Sequence, residues 1–458
     1  MSSPLFSYSS TYLSMFTAHH PVRTAVLRLS LRISLSLLAL VGSFVISANV
    51  YAVEAPLTMA EAQRRAIERS RQLHAKDFAV TASRDMAVAA NQLPDPVLKV
   101  GIDNLPVNGS DRFSPGNDFM TMRRVGVMQE ITRSDKRRLR SDRFELDAQK
   151  TLAEKRVATA AIERDTALAW LDRYYADAMA AVIAEQGEQA KLEIQSAEGA
   201  YRAGRGNQAD VFAARSALAA FDDRASEIQR RVRNANTMLA RWSGDVTGLA
   251  LAGKPATDTI RLDPATLDTT IAHHPEIAVL TKQVEGAETD ARLAKANEKS
   301  DWSVEVAFQQ RGSAYSNMVS VGVSIPIQWD RKNRQDRELS SKLAMVEQAK
   351  AEREDMLRAH IAETRSMINE WQNDRERYAR YERELIPLAN QRTLAAIAAY
   401  RGGKASLVEV LAARRNDIDV RLQALQLAGE TDRLWAQLNF LFPTDDAMTH
   451  AGMNQDIK

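Results

Sequence analysis

The chain is written twice. Tyr201-Arg202-Ala203-Gly204-Arg205 returns as Tyr400-Arg401-Gly402-Gly403-Lys404, and Asp210-Val211-Phe212-Ala213-Ala214-Arg215 returns as Glu409-Val410-Leu411-Ala412-Ala413-Arg414. Upstream, Val125-Gly126-Val127-Met128-Gln129-Glu130-Ile131 answers Val321-Gly322-Val323-Ser324-Ile325-Pro326-Ile327, again at an offset near 200 positions. Self-similarity at a fixed spacing marks a duplicated structural unit, so any admissible fold must contain each element twice. The reading places a first unit at 53–261, a second at 262–444 and a flexible tail at 445–458.

Both units carry the same order of signals. Helical periodicity runs from about Thr58 to Gln92 and from about Pro264 to Glu298, with Thr58 and Asp263 as N-caps. Two short strand-like runs come next. A much longer helical pattern follows, about Ser134 to Ala200 and about Asp330 to Ala399, interrupted by proline only at Pro387. At about 1.5 Å per residue each would reach roughly 100 Å, which no compact globule requires. After a glycine-containing turn the chain returns as a helix, about Gln208 to Trp242 and Leu407 to Leu441.

The strands decide the environment. Trp302, Val304, Val306 and Phe308 alternate with Ser303, Glu305, Ala307 and Gln309, and Val319, Val321, Val323, Ile325 and Ile327 alternate with polar or small residues. In the first unit Leu98, Val100 and Ile102 alternate with Lys99, Gly101 and Asp103, and the run Phe119 to Ile131 is less regular. Period-two alternation of this length fits a membrane β-barrel strand, apolar toward lipid and polar toward the lumen. Single-chain membrane barrels have at least about eight strands, so four cannot close one and several chains must contribute. Three copies give twelve strands without a free edge. The alternative is a small water-exposed sheet on a soluble periplasmic coiled-coil scaffold.

The N-terminus supports export. Arg23, Arg28 and Arg32 precede an apolar run from Ile33 to Ile46 and the small-residue ending Ser47-Ala48-Asn49-Val50-Tyr51-Ala52, so residues 1–52 read as a signal peptide cleaved after Ala52. Cysteine is absent, which excludes disulfides, thiolate metal sites and lipid attachment at a mature N-terminal Cys. A formal net charge of +2 gives no global field for nucleic acid. No nucleophile elbow, phosphate loop or metal triad argues for an enzyme.

Signal peptide, two copies of helix, two strands, long helix, Tyr-x-x-Gly turn and return helix together resemble the TolC family of outer-membrane efflux proteins, over essentially the whole mature chain. The resemblance implies a mainly α fold with membrane β-structure: a homotrimer with a 12-stranded barrel in outer-membrane lipid and a long α-helical tunnel through the periplasm. It implies docking to a periplasmic adaptor and an inner-membrane RND transporter, with no cofactor and no catalysis. The tip turns carry over residue by residue: Tyr201, Gly204, Asp210 and Val211 in the first copy, and Tyr400, Gly403, Glu409 and Val410 in the second, as adaptor contacts. The glycines permit φ > 0 where a helix reverses. An aperture would be lined by Tyr400, Lys404, Glu409 and Asp210. Family members close it with an additional Arg and acid, where this chain has Ala405 and Ala412. Equally, Asp210 and Glu409 suit ordinary helix N-termini, where the dipole favours carboxylates.

The cargo rests on the segments Leu93-Pro94-Asp95-Pro96, Asn104-Leu105-Pro106 and Met120 to Glu130, which look like the branch encoded with heavy-metal pumps. Drug efflux and type I secretion are the alternatives within the family. If Phe119–Ile131 keeps its partner's register, Met120, Met122, Arg124, Met128 and Glu130 face the lumen. Thioethers suit soft ions such as Cu(I), but methionine more often simply fills space, and transit through an aqueous duct needs no ligands. The histidines form no i, i+4 zinc pair: His273-His274 fall early in a helix, and His74 and His360 are isolated.

Overall fold

A computed structural model describes residues 55–204, 206–244 and 248–444. The signal segment and the tail beyond 444 lie outside the described residues. The element order is α1 (Met59–Arg69), α2 (Arg71–Ala90), β1 (Val97–Asp103), β2 (Met122–Ile131), α3 (Ser134–Arg202), α4 (Gln208–Ser243), then α5 (Leu267–Ala272), α6 (Pro275–Ala296), β3 (Trp302–Gln310) and β4 (Met318–Ser324). The second unit ends with α7 (Gln335–Arg380), one π-helical turn at Tyr381–Leu385, α8 (Ile386–Arg401) and α9 (Leu407–Asn439).

The first helix of each unit is broken rather than continuous. Thr58 caps α1 as expected, but Ser70 interrupts, its hydroxyl accepting from Leu73 N to cap α2. In the second unit Asp263 caps only a turn, through Ala265 N, and the helix begins at Leu267. It breaks again at His273-His274, because Pro275 restricts the residue before it and is itself suited to the first helical position. Helical periodicity runs unchanged through both breaks, which is why it conceals them.

α3 is unbroken over 69 residues, about 100 Å of helix. Its repeat partner starts later than expected, at Gln335, because Asp330 gathers Asn333 N and Asn333 Nδ2 into a turn. It then loosens into the π-turn immediately before Pro387, which has no N–H to donate and whose ring crowds the carbonyl four residues back.

The four strands form one antiparallel sheet in the order β1-β2-β3-β4. Ile131 pairs with Trp302 and Ser303 with Ser324, so every connection to a helix leaves the same end of the sheet. Loops 104–121 and 311–317 close the other end. β4 stops at Ser324, short of the expected Ile327, since Pro326 cannot donate to a ladder.

The main core lies at mid-length of the long helices. Trp170, with no exposed surface, packs with Leu171, Leu239, Leu267, Ile271 and Leu438, and its indole N–H donates to Leu57 O at 3.0 Å. Leu57 in turn is held by backbone bonds to Ala250 and Ala252, so the segment after α4 is tied to the start of the first unit. Alanine is the commonest buried residue of α3, at nine of its nineteen buried positions, which lets the axes approach closely there.

Candidate functional site: a two-faced sheet and two tip turns

Register sorts the sheet into two chemically opposite faces. On one, Leu98, Val127, Val306 and Val321 form a row, flanked by the row Val100, Val125, Phe308 and Val319 and by Val304 with Val323. These side chains lie open: Val100 is 71 % exposed and Val321 70 %. Their neighbours farther along the strands are Arg123 and Gln310 toward the loops and Gln129 toward the helices. Exposed β-branched and aromatic residues in contiguous rows are costly in water and suited to hydrocarbon.

The opposite face carries the charges. Lys99 Nζ lies 2.8 Å from Glu305 Oε2, Arg124 also engages Glu305, and Arg124 Nη1 lies 3.7 Å from Asp103 Oδ2. Gly126 stands between Lys99 and Ala307 in their row, and a Cβ there would come within 2.7 Å of the Ala307 methyl. Its lack of a side chain leaves Lys99 the path to Glu305. Sequence reading noted each of these charges as a polar position but not their convergence, because Lys99 and Glu305 are 206 residues apart.

The expected lumen residues divide. Met122, Arg124, Met128 and Glu130 share this charged face, Met128 directly opposite Glu305. Met120 does not: β2 begins at Met122, and Met120 lies in the loop, its N–H captured by Asp118 Oδ1 at 2.7 Å and its carbonyl accepting from Asn104. No ladder carries the alternation back that far.

At the far ends of the long helices the two turns come together. Gly204 and Gly403 adopt φ of +70° and +66°. Val211 and Val410, expected among the exposed contacts, are instead buried, at 8 % and 3 % exposure, in a cluster with Ala197, Ala214 and Leu407 against which Tyr400 packs. They join one turn to the other. Tyr201, Lys404 and Glu409 remain exposed and Asp210 half-buried. Both acids are engaged locally: Asp210 and Asn207 form a reciprocal capping box, and Ser406 Oγ donates to Glu409 Oε1 at 3.1 Å while accepting from its N–H. Higher on the same helices, Glu193 of α3 and Arg414 of α9 form a close, largely buried ion pair. Burial there pushes the Glu193 carboxyl up from its ordinary value, against the attraction of Arg414.

A third cluster was not anticipated. His274, Glu276 and His360 bring their donor atoms within 4.8 Å of one another. Burial, reinforced by His360, lowers His274 to about 4, so its ring is neutral near neutral pH.

Among the described residues no helix is long and apolar enough to cross a membrane. Residues 266–442 match the outer membrane efflux protein family. A cobalt-zinc-cadmium resistance protein, CzcC, from Cupriavidus metallidurans is 24 % identical over 247 residues, which cover 53 % of this chain and 51 % of that protein. The chain thus spans about half the length of that curated relative. Among solved structures, CusC superposes with a TM-score of 0.72 at 16 % identity, covering 84 % of this chain and 92 % of that one. The outer-membrane channel OprN gives 0.71 at 18 %, covering 84 % and 89 %, and VceC of Vibrio cholerae gives 0.68 at 16 %, covering 84 % and 95 %. At these identities the superpositions establish the fold.

Proposed function

We propose that this chain, which belongs to the outer membrane efflux protein family, is the outer-membrane exit duct of a tripartite efflux system and passes heavy-metal cations out of the cell. The observation that carries the duct reading is the sheet: an exposed apolar face, a charged opposite face, and two strand edges, β1 and β4, with no partner among the described residues. An apolar sheet face of this extent belongs against lipid, and open edges in lipid must be closed. Three chains supply twelve strands, with the Lys99–Glu305–Arg124–Asp103 face turned to the lumen and the long helices continuing as a periplasmic conduit.

In this reading residues 1–52 direct export, and 53–261 and 262–444 are the two repeats. Tyr201, Gly204, Tyr400, Gly403, Lys404, Asp210 and Glu409 form the tip, where a periplasmic adaptor joins the duct to an inner-membrane RND transporter. Likeness to the cobalt-zinc-cadmium resistance protein and the Met122, Arg124, Met128 and Glu130 segment favour metal cargo over drugs. Deleting the gene tests it. Cells should become sensitive to cobalt, zinc, cadmium, copper or silver salts; sensitivity to dyes and antibiotics alone would assign the duct to drug efflux.

A further inference from the structure

Away from both the sheet and the tips, His274 and Glu276 open α6, and His360 faces them from α7, with His360 Nε2 2.9 Å from Glu276 Oε2 and the His274 and His360 rings 4.7 Å apart. They line a cavity of about 440 Å³ whose walls also include Asp165 and Arg164 of α3 and Glu363 of α7. Glu363 follows His360 by three residues and so shares its helical face.

We propose that this cluster binds a divalent cation of the Zn²⁺ class, with His274, Glu276 and His360 as ligands and Glu363 on the cavity wall beside them, clamping the start of α6 to the middle of α7.

The donor chemistry selects the ion. Two imidazoles with carboxylates and no thiolate suit Zn²⁺, Co²⁺ or Ni²⁺ better than Mg²⁺ or Ca²⁺, which prefer all-oxygen shells. Geometry asks for little movement. A tetrahedral ion about 2.0–2.1 Å from each ligand sets neighbouring donors about 3.3 Å apart, so the His360–Glu276 pair need open by only a few tenths of an ångström. The remaining ligand, within 4.8 Å, closes by a side-chain adjustment.

The histidines are already oriented. His274 Nδ1 accepts from Glu276 N at 3.3 Å while the ring hydrogen-bonds the Leu441 carbonyl, so the ring is held beside the cluster and ligation through Nδ1 would replace the long bond from Glu276 N. A ring hydrogen bond to a backbone carbonyl is the usual outer-shell support of a metal-bound histidine. Phe442, edge-on at 5.5 Å, fixes the ring from behind. At His360 the ion would take the Nε2 position that now hydrogen-bonds Glu276, with the ring proton carried on Nδ1. The α6 dipole opposes a cation at its N-terminus, and the Glu276 and Glu363 carboxylates offset it. Arg164 is held by Asp165, with Nε 2.9 Å from Oδ1.

The duplication supplies an internal control. The N-cap matching His274 in the first unit is Ser70, the residue matching Glu276 is Gln72, and α3, the counterpart of α7, contains no histidine. The first unit therefore makes the same helix break with no ligand set. The break needs no imidazole, and the second unit has one from each of two helices. The clamp does not rest on the cargo reading, since a duct for any solute can carry it.

The test uses the full trimer in detergent, free of any histidine tag and stripped with chelator. Titration calorimetry and metal analysis after desalting should give one Zn²⁺ per chain, none retained with Mg²⁺, and a Zn²⁺-dependent rise in Tm. His360→Ala and Glu276→Gln should each weaken Zn²⁺ binding at least tenfold while the trimer persists on unheated gels. Glu276→Gln keeps the size of the side chain, so it decides the matter if His360→Ala does not assemble. Wild-type protein binding Zn²⁺ no better than Mg²⁺, or Zn²⁺ affinity unchanged in Glu276→Gln, overturns the proposal. Metal sensitivity of the deletion strain reports separately on the cargo.

Discussion

Val321 and Gly322 are adjacent in β4 and point to opposite faces, so an arginine at each asks which solvent each face meets. Val321 sits in the middle apolar row and is 70 % exposed; Gly322 lies directly opposite Glu305, and a Cβ there meets nothing within 4 Å. If the apolar face meets lipid, Val321→Arg near the bilayer midplane costs about 2–4 kcal/mol per chain, or roughly 6–12 kcal/mol over three chains. Gly322→Arg enters the lumen beside a carboxylate and should cost within about 0.5 kcal/mol of nothing. If the sheet were instead exposed to water, Val321→Arg at so open a site would itself fall within about 0.5 kcal/mol of neutral. The two environments thus predict different outcomes for one substitution. Refolding each variant into lipid vesicles across a urea series, alongside its recovery in the outer-membrane fraction, gives the reading. The expected result is a large loss of insertion for Val321→Arg only. Equal insertion of wild type and Val321→Arg, or failure of Gly322→Arg alone, would refute the face assignment.

Three further expectations address the lumen, the turns and the buried pair. Glu305→Gln removes the carboxylate shared by Lys99 and Arg124, so the reversal potential in planar bilayers under a salt gradient should shift toward anion preference, and Arg124→Ala should shift it toward cations; no shift in either variant would contradict a pore-lining role. Gly204→Ala and Gly403→Ala force a side chain into positive φ at about 1–2 kcal/mol each, which should appear as faster proteolytic nicking at 199–210 and 398–409 respectively. Arg414→Met leaves Glu193 buried without its partner and should destabilise by about 3 kcal/mol at neutral pH, measured by chemical denaturation. Because the folded-state pKa of Glu193 is raised, protonation favours the fold and this contribution fades as pH rises through that pKa. The Arg414→Met defect should therefore shrink as pH falls, and Glu193→Gln with Arg414→Met should recover most of it.

What could be read from the sequence is what repeats or alternates locally. Leu98-Val100-Ile102 and Val319-Val321-Val323 declare their face without a neighbour, because period two fixes direction once a strand exists. The tip glycines declare themselves because a helix reversal needs φ > 0. Breaks in helices are harder: Ser70 and His274 stop a helix by capping the next one, while the apolar spacing on either side continues in phase. Met120 left the strand because Asp118, two residues away, competes for its N–H. Contacts across long separations were invisible for a different reason. His360 meets Glu276 across 84 residues and Lys99 meets Glu305 across 206, and no periodicity links such positions. Val211 and Val410 fall between these cases, since the repeat marks them as equivalent but only the packed tip shows them buried together.

The open edges also constrain how copies can associate. Every strand end that leads to a helix lies at one end of the sheet. Pairing β4 with β4 of another copy, or β1 with β1, is antiparallel only if one copy is inverted, which sends its helices from the opposite side of the membrane. Pairing β4 of one copy with β1 of the next is antiparallel with both copies upright, and it continues the outward rows, Val319, Val321 and Val323 running on into Leu98, Val100 and Ile102. That contact is head-to-tail, so it ends only when rotation brings the last β4 to the first β1. A ring is thus the one association that leaves no edge in lipid and keeps every long helix on one side, and the duplicated unit sets its strand count to a multiple of four.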